Sequence, residues 1–314
     1  MRILFCGDIF PDAPDILQAK LPHDEMIVCP RAAVRESLAG VDVVIPLMTP
    51  IDAAIMEAGR FRLIHQFGVG LEGVDLAAAR ARGIRVANVP SADSGNADSV
   101  AEHALMLTLA VLRQLPLAQA SVRAGRLGTP LGHTLSGRTV CLFGLGAIAR
   151  ALARRLQPFD VRVIGISREP AAARSAALGL EACYGLADRH EALARTDVLV
   201  LCLPLTGDTR AIIDAEALAA LPAGACLVNI ARGPLVDYAA LRAALEHGHL
   251  LGAGLDVFWH EPIAPDDPLL ALPNVIATPH VAGVTDQSYD GIARTIAENV
   301  ERLRRGEPLL NCAA

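Results

Sequence analysis

Residues 139–149 read Thr139-Val-Cys-Leu-Phe-Gly-Leu-Gly-Ala-Ile-Ala149. An apolar run of strand length meets Gly144-x-Gly146-x-x-Ala149, and a helical pattern follows. Gly144 permits a tight turn out of a strand. Gly146 lets backbone N–H groups approach a ligand, and Ala149 is small enough for the helix to pack on the sheet. The helix would then turn its N–H groups and positive dipole end toward an anion. A strand, a glycine turn and a helix in this order make a dinucleotide phosphate cradle, and a chain built around one is committed to a parallel α/β architecture.

The rest of the chain agrees. Strand-like runs at 3–6, 26–29, 41–45, 63–66 and 84–87 alternate with helical stretches such as 76–82, and the alternation resumes at 161–166, 198–203, 226–230, 252–257 and 275–277. That pattern predicts parallel sheets with crossover helices. Small polar residues at 91–99 predict a loop, with Asp98 or Ser99 capping a helix over 100–115 that is apolar on nearly every face. A last helix over 287–303 is placed as a return crossing into the first domain. The expected fold is α/β, with two doubly wound parallel-sheet domains. A Rossmann-type nucleotide domain (98–285) is inserted into a flavodoxin-like substrate domain (1–97 plus 286–314), with the substrate in the cleft between them.

The second strand after a glycine motif ends in Asp or Glu when the nucleotide is NAD, because a carboxylate binds the ribose hydroxyls. Here residues 161–166 run into Ser167-Arg168, and Glu169 comes two positions late. Serine can donate to a 2′-phosphate and arginine can pair with it in a fork, so NADP is favoured over NAD. The plainer use of Arg168 is a solvated surface charge with relaxed nucleotide choice.

Three polar residues each follow a predicted strand. Arg232 lies in Asn229-Ile-Ala-Arg-Gly-Pro, Glu261 in Asp256-Val-Phe-Trp-His-Glu-Pro, and His280 in Thr278-Pro-His280. The carboxyl edge of an open α/β sheet is where ligands bind. Each also has a plainer use. Arg232 could cap a helix or pair with Asp237, Glu261 could be a loop residue fixed by Pro262, and His280 could be buried against a carbonyl.

With these segments, with Gly68-Val-Gly70 and Val74-Asp75, and with Asn88-Val-Pro90, Ser99-Val-Ala-Glu-His103 and Leu203-Pro-Leu-Thr206, the chain resembles the D-isomer-specific 2-hydroxyacid dehydrogenases. The resemblance covers about 41–303 by motif; the first forty residues match in pattern alone. It implies hydride transfer between a nicotinamide nucleotide and a small 2-keto or D-2-hydroxy acid. His280 matches the general acid/base, Glu261 its carboxylate partner, and Arg232 the anchor for the substrate carboxylate and keto oxygen. Val69, Gly70 and Asn96 match further substrate contacts, although the branch that uses Asn96 carries Gln where this chain has Glu261. The nucleotide is expected along Gly144, Gly146, Ala147, Ile148, Ser167, Arg168, Leu203, Pro204, Thr209, Ile230, Ala231, Asp256 and Gly283. Ala147 stands where many members carry Arg. The family is commonly dimeric through the helix that matches 100–115, so a homodimer is expected.

Other residues are open. His65 and Gln66 are either pocket residues or a strand end, and Trp259 and His260 either shape the pocket or fill the loop. His103 reads as structural, and His247 and His249 lack the carboxylates a metal site would need. The seven scattered cysteines read as reduced, buried thiols. A net charge of −6 argues against a nucleic-acid footprint, and Lys20 is the sole lysine, so the arginines look like a compositional habit. No apolar stretch reaches the roughly 18 residues of a membrane span, and no secretory signal opens the chain, so it is expected to be cytoplasmic. The favoured activity is an NADPH-dependent glyoxylate/hydroxypyruvate-type reductase. The alternatives are a D-3-phosphoglycerate dehydrogenase-like enzyme, which would want basic residues such as Arg60 or Arg62 near its pocket, and a nicotinamide-sensing corepressor, which would want a peptide groove and disordered tails.

Overall fold

The computed structural model describes residues 1–170 and 172–314. It divides into two compact units, Met1–Asn96 with Thr285–Ala314 and Ala97–Val284.

The first unit holds a five-stranded parallel sheet of β1 (Arg2–Cys6), β2 (Glu25–Cys29), β3 (Val43–Ile45), β4 (Leu63–His65) and β5 (Arg85–Ala87). Their order is β2-β1-β3-β4-β5, which is the flavodoxin-like winding. Central strands of such a sheet are covered on both faces and need apolar residues at every position. Ile3, Leu4, Phe5, Val43, Val44, Ile45, Leu63 and Ile64 are accordingly buried throughout. The helix Asp286–Arg305 returns to this unit. It is capped by Thr285, whose Oγ1 accepts from the Ser288 N–H at 3.2 Å, and it buries Ile292, Ile296, Val300 and Leu303 on one stripe.

The second unit holds seven parallel strands: β6 (Thr139–Phe143), β7 (Arg162–Ile166), β8 (Ala182–Tyr184), β9 (Val198–Leu201), β10 (Ala225–Asn229), β11 (Leu250–Leu255) and β12 (Val275–Ala277). The order β12-β11-β10-β9-β6-β7-β8 is that of a Rossmann domain with one added strand. Alternate side chains serve two cores. Cys141, Phe143, Ile164, Ile166, Leu199 and Leu201 face one, and Val140, Leu142, Val163, Val198 and Val200 the other. The winding reverses between β6 and β9, which opens a crevice at their carboxyl ends.

The helices after residue 95 differ from expectation, and β8 falls outside the runs read as strands. The helix placed at 100–115 runs Asn96–Leu112, and a second helix, Leu115–Arg123, follows Gln114 at φ 49°. The small polar residues before it start the helix instead of preceding it, because Asp98 is tied to Arg154 and Arg155 at 3.1 and 2.7 Å. Met106, on the first of these helices, is exposed in the single chain. No single helix among the described residues is long and apolar enough to cross a membrane.

Candidate active site

Strand register sets up the carboxyl edge of the second unit. Phe143 pairs with Ile166 and Leu201, while Asn229 pairs with Leu255 and Leu255 with Ala277. The loops that carry the candidate residues therefore leave from one line.

Gly144 turns at φ 94°, and a Cβ there would lie 2.8 Å from the carbonyl of Cys202. No side chain fits, because the exit of β9 passes at that point. A Cβ at Gly146 would meet nothing within 4 Å, and no side chain caps the helix Ala147–Leu156 that it heads. Its first-turn N–H groups, including those of Ala147 and Ile148, thus face space of the kind a diphosphate needs. One strand over, Ser167 and Arg168 follow β7, with Arg168 and Glu169 exposed. Past β9, Thr209 Oγ1 accepts from the Thr206 N–H at 2.7 Å and donates to the Pro204 carbonyl at 2.8 Å, which shapes the loop after Leu203. Backbone donors at a helix start, with a serine and an arginine at the neighbouring strand end, fit a dinucleotide.

The three polar candidates follow β10, β11 and β12, which are adjacent in the sheet. Asn229, fully buried, staples the first loop: its Oδ1 accepts from the Ala231 N–H at 3.0 Å and its Nδ2 donates to the Arg232 carbonyl at 2.9 Å. Buried Ile230 and Ala231 lead into Arg232, whose guanidinium donates to the Ala231 carbonyl at 2.7 Å. The next residue, Gly233, presses against the second loop. A Cβ there would lie 2.1 Å from the Phe258 carbonyl carbon and 2.5 Å from the Trp259 nitrogen. Glu261, in that second loop, uses both oxygens. Oε1 accepts from the Phe258 N–H at 2.8 Å, and Oε2 lies 2.7 Å from Nδ1 of His280.

The structure thus brings Glu261 and His280 into direct contact and sets the Arg232 loop against the Glu261 loop. An imidazole that donates Nδ1–H to a carboxylate presents Nε2 as the nitrogen that gives or takes a proton. His280 itself sits at φ 56°, a sparsely populated conformation for a residue with a Cβ. Asp256 is buried beneath it and accepts bonds from Thr278, Val281 and Ala282; Gly283 closes the same turn. Burial alone would raise the Asp256 carboxyl. Donors from His103, Thr278 and the Ala282 and Val281 N–H groups outweigh it and hold the group below the ordinary carboxylate range. Trp259 fills its loop: Nε1 donates to the Val236 carbonyl at 2.7 Å and the ring meets Tyr238 edge-on at 5.0 Å. His260 is exposed.

In the first unit the turn after β4 offers a backbone cradle. The Gly68 carbonyl accepts from the Val89 N–H at 2.8 Å and the Val69 carbonyl from Asn88 Nδ2 at 2.7 Å. With both carbonyls turned that way, the N–H groups of Val69 and Gly70 have no acceptor among the described residues. Asn96 Nδ2 donates to Ser288 Oγ at 3.1 Å. His65 is a core residue, fully buried, with Nδ1 donating to the Gln66 carbonyl at 3.0 Å and Nε2 accepting from Asn299 at 2.8 Å. Gln66 Nε2 holds the Leu47 carbonyl at 2.9 Å. His247 and His249 are each bonded to a backbone carbonyl, and no cluster among the described residues could hold a metal ion.

Asn229 and Thr278 escaped the reading of the sequence as site residues. Their only signal was their place within the segments that carry Arg232 and His280.

Residues 105–282 match the family model described as D-isomer specific 2-hydroxyacid dehydrogenase, NAD binding domain. The chain is 40% identical over 262 residues to a D-3-phosphoglycerate dehydrogenase of Mycobacterium tuberculosis, covering 82% of this chain and 48% of that protein. It therefore spans about half the length of the curated phosphoglycerate dehydrogenases it matches. It is 36% identical over 288 residues to a glyoxylate reductase of Korarchaeum cryptofilum, covering 88% and 84%. A solved NADPH-dependent glyoxylate/hydroxypyruvate reductase of Sinorhizobium meliloti, in complex with NADP and malonate, superimposes with a TM-score of 0.85 at 34% identity, covering 100% of this chain and 96% of that one.

Proposed function

The chain belongs to the D-isomer specific 2-hydroxyacid dehydrogenase family, and from that membership we propose that it is an NADPH-preferring reductase of small 2-keto acids, of the glyoxylate or hydroxypyruvate type. The observation that carries the reading is the 2.7 Å bond between His280 Nδ1 and Glu261 Oε2, on the same sheet edge as the diphosphate cradle.

The nicotinamide nucleotide, when bound, supplies the hydride. This chain does the rest. His280 gives a proton from Nε2 to the carbonyl oxygen as negative charge develops there. Glu261, locked by the Phe258 N–H, keeps the imidazole in the tautomer and orientation that this requires. The planar fork of Arg232 suits the carboxylate and the adjacent keto oxygen, and it stabilises the charge that grows on that oxygen. Helix dipole and backbone N–H groups at Gly146–Ile148 receive the diphosphate, while Ser167 and Arg168 favour a 2′-phosphate. In the first unit, the N–H groups of Val69 and Gly70 suit a carboxylate.

A phosphoglycerate-type reading is favoured by the 40% identity to such enzymes. Residue placement supports the smaller substrate. Arg60 and Arg62 precede β4 and stand at the amino end of its sheet, with Arg62 paired to Asp42 at 3.2 Å. The loops after β3 and β4, residues 46–51 and 66–73, contain no lysine or arginine and expose Met48 and Val69. A homodimer is supported by an apolar surface in the second unit, where Met106, Leu115, Leu117, Val122, Leu127 and Leu131 are all exposed. Sedimentation should show twice the mass of the chain.

The test is a panel of 2-keto acids plus the oxidised 3-phosphoglycerate product, followed by loss of NADPH or NADH absorbance. Turnover of glyoxylate or hydroxypyruvate with NADPH is expected. Preference for the phosphorylated substrate would favour the second reading, and no turnover of any 2-keto acid would end both.

A further inference from the structure

We propose that His103 is a positioning residue for this reaction: through Thr278 and Asp256 it holds the turn that presents His280. The inference rests on the reading of His280 as the proton donor.

Helix and strand periodicities bring His103 to that turn. The helix Asn96–Leu112 lies directly on β11. A Cβ at Gly252 would come within 3.1 Å of Val111, and one at Gly254 within 2.9 Å of Leu107. Four residues of helix advance about 6 Å and two residues of strand about 6.6 Å. Stepping back along the helix from Val111 to Leu107 therefore matches stepping forward along the strand from Gly252 to Gly254. One further step on each side leads to His103 and Asp256. The stripe that packs apolar groups onto two glycines ends, at the carboxyl edge, in a histidine facing a buried carboxylate.

The bonding there has one consistent polarity. Thr278 Oγ1 donates to Asp256 Oδ1 at 2.6 Å. A hydroxyl has a single proton, so Oγ1 must accept from His103 Nε2, which lies 2.9 Å away. His103 Nε2 is also 3.4 Å from Asp256 Oδ1. The carboxylate then takes the Val281 N–H on Oδ1 and the Ala282 N–H on Oδ2, each at 2.9 Å. The Asp256 carbonyl takes the N–H of His280 at 2.8 Å. These bonds grip residues 278–282 on both sides of His280, the residue held at φ 56°. A left-handed conformation persists where surrounding bonds over-determine it. His103 is the group that fixes the direction of the Thr278 hydroxyl, and with it the supply of donors to Asp256.

The experiment uses the full chain with His103→Leu, His103→Gln and Thr278→Val, read by steady-state kinetics and by ring-nitrogen NMR of labelled histidine. His103→Leu should lower kcat roughly 10- to 100-fold, as a misplaced reacting group does, with KM for NADPH little changed. His103→Gln keeps a donor near the Nε2 position and should restore most of that loss. Thr278→Val should reproduce the leucine variant, and combining the two should cost nothing further, since both cut one chain of bonds. The ring signals of His280 should move in the leucine variant and stay in the glutamine variant. Unchanged kcat in His103→Leu, equal defects in Leu and Gln, or additive losses would overturn the proposal. Should His103→Leu not fold, normal turnover by Thr278→Val overturns it instead. Failure of the underlying reading looks different: His280→Ala would keep turning over, while in the chains that retain His280 its ring signals still answered to His103.

Discussion

Removing the imidazole of His280 takes away the proton that the reduction needs, so His280→Ala should lower kcat about 100-fold or more. The protein should stay folded, because the ring is partly exposed and bonds Glu261 at the rim of its unit. Single-turnover kinetics with a competent 2-keto acid checks this. Arg232→Lys keeps the charge and loses the fork; kcat and kcat/KM should both fall, because the lost contact is strongest as charge builds on the keto oxygen. A lysine variant with full activity would remove the bidentate role. Nucleotide choice has its own residue. Arg168→Ala should raise KM for NADPH by about 10-fold and leave KM for NADH nearly unchanged, since only the 2′-phosphate loses a charge-assisted partner. Titration of nucleotide fluorescence with both forms decides it.

At the level of elements, the loops after β10 and β11 act as one piece because Gly233 lets their backbones touch. Gly233→Ala puts a methyl group where the Phe258 carbonyl lies. One loop must move, at a cost of about 1–3 kcal/mol in stability, and Glu261 should move with it. Trp259, the only tryptophan of the chain, stands in the displaced loop. Its fluorescence should report both a lower melting temperature and an altered emission before unfolding. Much of this architecture was legible beforehand. Buried parallel strands announce themselves as unbroken apolar runs, and all three catalytic candidates were found by their place just past such runs. What escaped the sequence depended on distant partners. The start of the helix Asn96–Leu112 was hidden because Asp98 finds Arg154 and Arg155 only in the fold. β8, Ala182–Tyr184, is an edge strand that is only half-buried, so it lacks the apolar run that marks the other three-residue strands. His65 was open between a pocket residue and a strand end, and His103 read as structural; their partners define both. One is closed off by Asn299 and the Gln66 carbonyl, while the other is turned toward Thr278 and Asp256.

For the molecule as a whole, the histidine in the core of the first unit ties stability to pH. His65 is fully buried and neutral, and desolvation, only partly offset by the Gln66 carbonyl, pushes its pKa from the ordinary 6.5 down to about 4. In the unfolded chain the same ring takes up a proton below about 6.5. Between those two values the unfolded state binds more protons than the folded one, so stability falls as pH falls. The contribution is complete above about 6.5 and gone below about 4, with a total of roughly 3 kcal/mol. Asp24 and Asp256, both held below the ordinary carboxylate range, weaken the fold only at still lower pH, so the His65 window stands apart from theirs. Amide hydrogen exchange of β3, β4 and β5 should therefore speed up between about pH 6.5 and pH 4, by close to tenfold per pH unit at the steepest, once corrected for intrinsic exchange. In His65→Gln, which can still donate and accept but does not titrate, these amides should be less protected near neutrality and lose that pH dependence. If wild type and variant show the same slope, burial does not hold the His65 ring neutral in the fold, and the pH dependence belongs to another group.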